Sequence, residues 1–384
     1  MSSMLRTLRN LTVNIMAAFI RDREARHKFR NKYKRKSNFS KLRNDNRALS
    51  NDIAILKQEI GVIKRDIESI KTKNFFRYSP KHVENCKRFY SQLNTDEFTQ
   101  KYCDLVRGLD EGSMMCIAQV LQRIKLVSKL EPGRGGLLDI YDEDEKNQLD
   151  KVRREFYSKI IPLSEGCWAY RQYILPTKSP ELSALYYKHQ MPYLKNTEKL
   201  KEKDFLDVGG YIGDSALVFT EYTNGKIYTF EPVSLHYELT LKTIEMNNCR
   251  NIVPIKMALG SKDETAAIKI NGLASTLSKN NAIDDSPCEM VTVTTVDNFI
   301  KDKDVDIGLI KVDVEGFEQE FLKGAESTIR KYRPTMLISI YHNASDFFNI
   351  KPIIESWNLG YTFKVSRPVL GGIYHDTMLI CEIL

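Results

Sequence analysis

The sequence predicts an α/β protein in which a seven-stranded, mostly parallel sheet follows a helical region and a parallel coiled coil. Strand and helix patterns alternate in residues 196–384, helical patterns fill residues 74–195, and a heptad pattern occupies residues 42–73. Of the 384 residues, 42% are hydrophobic and 28% are charged. This composition excludes collagen-like and wholly disordered proteins and leaves room for two or three structural units.

Residues 1–41 form a basic segment with an apolar helical pattern. Residues 1–45 hold 13 Lys and Arg against three acidic residues, a charge of +10 that leaves −2 for the rest of the chain. The apolar run at residues 11–20 is too short to cross a bilayer, which takes about 20 residues, and no signal-peptide cleavage site follows it. The pattern predicts an interfacial amphipathic helix attracted to an anionic membrane surface. A basic helix packed on the protein's own body is the alternative.

The cysteines predict the cellular compartment of the protein, and the composition of the basic segment predicts whether it binds nucleic acid. The seven cysteines are scattered, odd in number and free of any CxxC pair, which favours a reducing compartment over a disulfide framework or a zinc cage. We therefore expect a cytoplasmic protein, attached peripherally to the inner face of the membrane. Nucleic-acid binding is not expected, because the basic segment lacks the interleaved aromatic residues of a stacking platform.

A heptad pattern in residues 42–73 predicts a parallel coiled coil. The a positions carry one asparagine and three isoleucines, whereas the d positions carry mostly leucine, which favours two parallel strands. Acidic g positions precede basic e positions by five residues, so an in-register parallel pair joins opposite charges. A homodimer is therefore favoured. A trimer remains open because Ile63 and Ile70 occupy d positions, and a single helix packed on the α/β part of its own chain is the other alternative.

Residues 74–195 are expected to be helical. Ile117, Ile124 and Val127 keep a helical spacing that ends before the loop at residues 132–136, and a second helix is expected at residues 145–160. We find no ligand motif in this region.

Seven strands are expected in residues 196–384, and the connections between them define the fold. The last two strands are joined by a short loop and are therefore expected to be antiparallel, since a parallel return takes a dozen or more residues. Residues 265–296 look like a β-rich insertion. Six parallel strands with an antiparallel final hairpin resemble the class I methyltransferase variant of the Rossmann-like fold. The expected strands are 205–210, 226–232, 251–259, 307–314, 335–341, 361–366 and 377–383.

A glycine-rich turn after the first of these strands predicts a cofactor site. Gly209, Gly210 and Gly213 stand where the backbone must turn sharply and approach a ligand closely. Glu231 ends the next strand about twenty residues later, where its carboxylate can accept hydrogen bonds from a ribose diol. NAD would also suit these residues. Asp214 favours S-adenosylmethionine (SAM) instead, because a carboxylate there repels a pyrophosphate and attracts a sulfonium and an ammonium group.

Several motifs together resemble the FkbM family of SAM-dependent methyltransferases. They are DVGGYIGD at 207–214, TFEP at 229–232, ALG at 258–260, VTVTTVDNFI at 291–300, IKVDVEGFEQEFLKGA at 310–325 and PTMLISIYH at 334–342. The resemblance implies that Asp207, Gly209 and Gly213 line the methionine end of SAM, that Glu231 binds its ribose and that Ala258 flanks its adenine. Tyr211 departs from the family, which more often has Asn at this position.

Asp313, Glu315 and His342 are the candidate catalytic residues. They follow the fourth and fifth strands, whose carboxyl ends form the edge at which open α/β sheets bind ligands. Methyl transfer to an alcohol is helped by removal of the hydroxyl proton, so each of the three is a candidate base. The same three side chains could hold a divalent metal, although their spacing matches no recognised ligand pattern. The alternatives are that Glu315 caps the following helix and that His342 is structural.

The resemblance implies an O-methyltransferase that acts on a hydroxyl group, most often of a sugar in a surface polysaccharide, glycolipid or secondary metabolite. The alternative is a coiled-coil scaffold whose methyltransferase-like domain binds SAM without catalysis. Because Asp207, Glu231 and Asp313 are all present, the enzyme is favoured. No pattern in the sequence identifies the acceptor.

Overall fold

The computed structural model describes residues 27–28, 76–93, 95–131, 136–271, 274–277 and 288–384. The predicted amphipathic segment (1–41) lies outside these residues apart from residues 27–28, and the predicted coiled coil (42–73) lies wholly outside them. Residues 75–384 form one compact unit. In the part of the chain that the structure describes, no helix combines the length and the apolar composition that a membrane span requires.

The first part of this unit contains helices and short strands. The predicted helix around Ile117 is confirmed as Glu111–Ser128, and the helix predicted at 145–160 is Glu143–Glu155. A capping box made by Asp142 and Glu145 starts the latter, and the buried Phe156 ends it. The elements are β1 (Phe76–Tyr78), α1 (Pro80–Ser91), α2 (Phe98–Val106), α3 (Glu111–Ser128), β2 (Gly136–Leu138), α4 (Glu143–Glu155), β3 (Ile161–Ser164), β4 (Cys167–Tyr170), β5 (Tyr173–Leu175) and α5 (Leu182–Leu185). The strands β1 to β5 are additions to the expected all-helical region.

The remaining elements alternate strands and helices, as expected. The strands are β6 (Asp204–Val208), β7 (Ile227–Phe230), β8 (Ile252–Ile255), β9 (Ala258–Leu259), β10 (Glu264–Asn271), β11 (Ala274–Leu277), β12 (Cys288–Thr294), β13 (Ile307–Val312), β14 (Thr335–Ser339), β15 (Thr362–Ser366) and β16 (Met378–Glu382). The helices are α6 (Asp214–Phe219), α7 (Ser234–Met246), α8 (Val296–Ile300), α9 (Glu318–Tyr332) and α10 (Ala344–Ser356).

A seven-stranded sheet in the order β15-β16-β14-β13-β6-β7-β8 confirms the predicted fold class. β16 runs antiparallel to both β14 and β15, and the other neighbours are parallel. The chain order of the strands reverses beside β6 and β13, which is where open α/β sheets bind ligands. Every residue of β13 is buried, as expected for a strand covered on both faces.

The predicted β-rich insertion forms a second sheet, in the order β11-β10-β12-β9. The single strand expected at residues 251–259 is therefore two strands. β8 stays in the main sheet, whereas β9 leaves it and pairs in parallel with β12. Ala258 in β9 thus lies at the junction of the two sheets.

The first part of the unit packs onto the main sheet through a shared hydrophobic core. Ile117 and Ile124 of α3 belong to the same buried cluster as Val365 of β15. The backbone N–H of Val365 also donates to the hydroxyl of Ser113 at 2.9 Å. The predicted boundary at residues 195/196 stays a prediction.

Candidate functional site

The turn after β6 brings three glycines into positions that other residues could not occupy. Gly209 has φ +83°, and a Cβ there would lie 1.8 Å from the carbonyl oxygen of Asp313. A Cβ on Gly210 would lie 2.0 Å from Oγ1 of Thr229. Gly213, at φ +80°, precedes α6. The backbone of the turn therefore lies directly against β7 and the end of β13.

Asp207 lies beneath this turn, paired with a buried lysine. Nζ of Lys311 lies 3.3 Å from Oδ1 of Asp207 and donates to the carbonyl oxygen of Gly209 at 2.7 Å. Thr229 donates to Oδ2 of Asp207 at 2.8 Å. Burial raises the pKa of Asp207, partly offset by Lys311. Burial alone would lower the pKa of Lys311, but the carboxylates of Asp207 and others outweigh it and raise that pKa.

Glu231 closes the same turn from the end of β7. Its Oε2 accepts from the backbone N–H of Tyr211 at 3.0 Å, and its Oε1 accepts from that of Val233 at 2.9 Å. Because each carboxylate oxygen has two lone pairs, one acceptor position on each oxygen is left for a ligand. The apolar residues Met257, Ala258 and Leu259 continue the wall beyond it.

Asp214 is fully buried at the start of α6 and is not among the residues that line the cleft. Its Oδ2 accepts from the backbone N–H of Glu181 at 2.9 Å, and its Oδ1 accepts from that of Ser215 at 3.1 Å. Burial raises the pKa of Asp214 to about 6. Glu181, which Asp214 holds by the backbone, lines the cleft with its side chain.

His342 lies between two carboxylates. Its Nδ1 is 2.8 Å from Oε1 of the fully buried Glu318, and its Nε2 is 3.2 Å from Oδ1 of Asp313. Burial alone would lower the pKa of His342, but Glu318 and Asp313 outweigh it and raise that pKa well above its ordinary value. Burial alone would raise the pKa of Asp313, but His342 and Lys311 outweigh it and hold that pKa at about 2.

Glu315 is the more exposed carboxylate of the pair that follows β13. It has φ +54° and Gly316 has φ +99°, and such strained backbone occurs preferentially at functional sites. Oε2 of Glu315 lies 3.6 Å from Nε2 of His342. Burial raises the pKa of Glu315, and the charge of His342 opposes that rise.

The loop between β15 and β16, residues 367–377, approaches the same side of the site. Asp376 in this loop has φ +59°. Burial and the charge of Asp313 raise the pKa of Asp376 to about 7, while a hydrogen bond from Ser183 opposes the rise. Tyr341, which lines the cleft, donates a long hydrogen bond of 3.5 Å to Asp313.

A buried ion triad anchors this loop to the first part of the unit. Glu145 pairs with Nη2 of Arg123 at 2.5 Å and with Nη2 of Arg367 at 2.9 Å. The carbonyl oxygen of Gly372 accepts from Arg367 at 3.1 Å and from the hydroxyl of Tyr141 at 2.7 Å. Arg123, Glu145 and Tyr141 thus hold Arg367 and Gly372, in the first half of the loop that carries Asp376.

The structure brings five of the ten predicted site residues into one cleft at the carboxyl ends of β6, β7 and β13: Gly209, Glu231, Ala258, Asp313 and Glu315. The other five lie behind the cleft wall: Asp207, Gly210, Gly213, Asp214 and His342. Sequence reasoning missed Glu181, Glu318 and Asp376. Only Glu318 had a usable signal, because it stands in the first turn of the helix that follows the DVEG motif.

The predicted metal set changes by one residue. Asp313, Glu318 and His342 bring ligand atoms within 4.8 Å of one another, so Glu318 replaces Glu315 in this group. The two nitrogens of the imidazole face different carboxylates. This arrangement fits a bridge between two carboxylates better than three ligands converging on one ion.

Comparisons with known proteins agree with the motifs. Residues 207–363 match the model of the methyltransferase FkbM domain. Methyltransferase 1 of Beauveria bassiana (strain ARSEF 2860) is 24% identical over 186 residues, 42% of this chain and 74% of that protein.

Solved structures of methyltransferases are also similar. The FkbM methyltransferase of Methylobacillus flagellatus KT is 17% identical with a TM-score of 0.48, over 76% of this chain and 60% of that chain. Fibrillarin of Aeropyrum pernix, with natively bound SAM, is 16% identical with a TM-score of 0.29, over 47% of this chain and 67% of that chain. Residues 207–363, which match the model of the FkbM methyltransferase domain, supply most of the cleft, and this match supports methyltransferase activity of the FkbM type.

Proposed function

We propose that this protein is a SAM-dependent O-methyltransferase that acts on a hydroxyl group of a sugar in a surface polysaccharide or glycolipid. The observation that carries the proposal is the meeting of two sets of residues in one cleft. Gly209 and Glu231, which follow β6 and β7, lie on its cofactor side, and Asp313 and Glu315 follow the neighbouring strand β13. The sugar acceptor rests on the family resemblance alone.

The residues of the cleft fit SAM. The free acceptor positions of Glu231 suit the ribose diol, and Met257, Ala258 and Leu259 offer an apolar wall for the adenine. The glycine turn lies so close to Asp313 and Thr229 that a Cβ on Gly209 or Gly210 would clash with them, which fixes the backbone at the proposed methionine end. When bound, SAM supplies a methyl group on a positively charged sulfur that an acceptor oxygen can attack.

Glu315 is the proposed general base. An acceptor hydroxyl gives up its proton as its oxygen forms the new C–O bond, and Oε2 of Glu315 can receive that proton. A pKa raised by burial makes Glu315 a stronger base than Asp313, whose pKa is held at about 2. Asp313 accordingly stays ionised and orients the acceptor.

His342 is a positioning residue in this scheme and not the base that the sequence suggested. A protonated imidazole held between Glu318 and Asp313 has no free lone pair with which to accept a proton. Its charge keeps Asp313 ionised and offsets the negative charge that builds up when Glu315 loses its proton between turnovers.

Two measurements test the proposed function. Calorimetry should detect binding of SAM at concentrations up to about 1 mM, where even weak sites respond. A methyl-transfer screen over candidate glycans, with mass detection, should yield a product that is heavier than its acceptor by one CH2 group, about 14 mass units. Binding of SAM without transfer to any acceptor would favour the scaffold alternative, and absence of SAM binding would contradict both.

The N-terminal residues contribute two further proposals that rest on sequence alone. The heptads of residues 42–73 support a parallel homodimer, which light scattering would test, and a monomer mass at micromolar concentration would contradict it.

The charge of residues 1–41 supports peripheral attachment to anionic membranes, since each basic residue near such a surface contributes about 1 kcal/mol. Equal flotation on anionic vesicles of the full chain and of a fragment starting at Lys41 would contradict this attachment.

A further inference from the structure

Glu181 is a side chain in the cleft that no family motif includes. It lies in the first part of the unit, before residues 207–363, and lines the cleft together with Gly209, Tyr211 and Asp313. Its backbone is fixed on both sides: its N–H donates to Asp214 at 2.9 Å, and its carbonyl oxygen accepts from Leu185 at 3.1 Å. The side chain does not cap α5, although Glu181 occupies the N-cap position.

The carboxylate of Glu181 lacks a cationic partner among the described residues. No Lys, Arg or His there lies within 4.0 Å of it. Among the described residues, the titratable groups around it include the carboxylates of Asp214, Asp313 and Asp376, the hydroxyl groups of Tyr211 and Tyr341, and the ammonium group of Lys311. Lys311 is already engaged by Asp207 and by the carbonyl oxygen of Gly209. Burial and the charges of Asp214 and Asp313 raise the pKa of Glu181 well above its ordinary value.

A partly buried carboxylate among like charges is costly unless a ligand supplies a cation. The other carboxylates at the turn are engaged elsewhere: Glu231 accepts from the backbone N–H groups of Tyr211 and Val233 on the proposed ribose side. Asp207 is buried against Lys311, and Asp214 accepts two backbone N–H groups behind the cleft wall. Glu181 is therefore the carboxylate at this turn that remains free to meet a ligand.

We propose that Glu181 binds the ammonium group of the methionine end of SAM. This inference rests on the proposed function, because it takes SAM as the ligand of the cleft. An ammonium group has three N–H donors and forms charge-assisted hydrogen bonds with a carboxylate, whereas a sulfonium has none to give. The first part of the unit thus contributes a cofactor ligand to a cleft whose other lining residues all lie within residues 207–363.

The test compares SAM with S-adenosylhomocysteine (SAH), since both carry the ammonium group but only SAM carries the sulfonium. Calorimetry on the full chain should show that Glu181→Gln weakens the binding of both ligands by about 10- to 100-fold, the loss of one charge-assisted hydrogen bond. Glu181→Asp, which keeps the charge on a shorter side chain, should lose less. Glu165→Gln, at an exposed position in the turn between β3 and β4, is the matched control and should bind like the wild type.

Thermal unfolding without ligand separates a binding role from a structural one. Glu181→Gln should unfold at the same temperature as the wild type or a higher one, because the substitution removes a carboxylate that lies near Asp214, Asp313 and Asp376 and has no ion pair among the described residues. A large loss of stability would instead mark Glu181 as structural and overturn the proposal.

The remaining outcomes are also decisive. Unchanged affinity of Glu181→Gln for both ligands would overturn the proposal, and a loss confined to SAM would overturn the assignment to the ammonium group. Failure of the wild-type protein to bind either ligand would contradict the proposed function itself, which keeps the two failures distinguishable.

Discussion

Nζ of Lys311 lies 3.3 Å from the carboxylate of Asp207, and both side chains are buried beneath the glycine turn. The same ammonium group donates to the carbonyl oxygen of Gly209 at 2.7 Å. The buried ammonium group of Lys311 therefore links β13 to β6 and fixes the position of the glycine turn, against which a cofactor would lie.

Replacing this lysine should destabilise the fold. Lys311→Met leaves Asp207 as an unpaired buried charge, which costs about 3–5 kcal/mol. Urea unfolding measures the loss, and Lys301→Met, at an exposed position, is the control. An unchanged midpoint for Lys311→Met would show that the ion pair does not hold the turn.

Gly209→Ala should abolish SAM binding and destabilise the protein by more than a strained φ alone. The new Cβ would lie 1.8 Å from the carbonyl oxygen of Asp313, so the turn or the end of β13 must shift. Gly166→Ala is the matched control, because Gly166 also has a positive φ, +69°, but no atom within 4 Å of the new Cβ. Gly166→Ala should lower the free energy of unfolding by only about 1 kcal/mol. Calorimetry and thermal unfolding check both variants, and equal effects would argue against the steric explanation.

Glu315→Gln should lower kcat by about 10²- to 10⁴-fold, the usual contribution of a general base, while SAM affinity stays unchanged. The measurement is methyl transfer to an acceptor found in the glycan screen, paired with calorimetry of SAM. Glu245→Gln, on the exposed face of α7, should leave both quantities at wild-type values. Full turnover by Glu315→Gln would exclude it as the base.

The bridge between Glu318 and Asp313 through His342 should make stability depend on pH. A raised pKa in the folded state means that His342 contributes its full stability below about pH 6.5 and loses it as pH rises through the folded value. The lowered pKa of Asp313 gives a contribution that is full above about pH 3.8 and lost as pH falls towards 2.

His342→Gln should therefore differ most from the wild type between about pH 4 and pH 6.5 in its free energy of unfolding. The difference should shrink as pH rises further, because the wild-type imidazole then loses its charge too. Urea unfolding across pH 4–9 checks this behaviour, and a difference that stays constant with pH would mean that His342 contributes by packing and not by charge.

Glu145→Gln should loosen the loop at residues 367–377. Glu145 neutralises two buried arginines, Arg123 and Arg367, and removing the shared carboxylate costs about 3–5 kcal/mol. Hydrogen exchange should rise in the loop more than in β13. Glu143→Gln, with its side chain 85% exposed, should change stability by less than about 0.5 kcal/mol, and equal exchange in both variants would contradict an anchoring role.

The sequence was informative wherever a rule of chain geometry connects residue spacing with position in space. Glu231 and Asp313 could be placed in one cleft because the carboxyl ends of parallel strands share an edge. Pro254 in β8 likewise agrees with the edge position of that strand, since proline cannot donate to a neighbouring strand.

What the sequence did not reveal depends on distant partners. The carboxylate of Asp214 accepts from the backbone N–H of Glu181 and does not line the cleft. No periodic pattern in the sequence marks Glu181 as a neighbour of the glycine turn. Asp207 can be buried because Lys311, about a hundred residues later in the chain, provides its cationic partner. A lysine inside the apolar run of β13 is nevertheless a signal, because a buried lysine requires an acidic partner.

The insertion of β16 between β14 and β15 has a consequence for synthesis of the protein on the ribosome. β15 can pair with no strand of the main sheet until β16 has been made, because β16 is its neighbour in that sheet. A nascent chain that has reached Ser366 therefore exposes an unpaired edge on β14 and a strand, β15, without a neighbour. Such surfaces aggregate readily and are bound by chaperones. The pairing of all seven strands in the main sheet is complete only after residues 378–382 have left the ribosome.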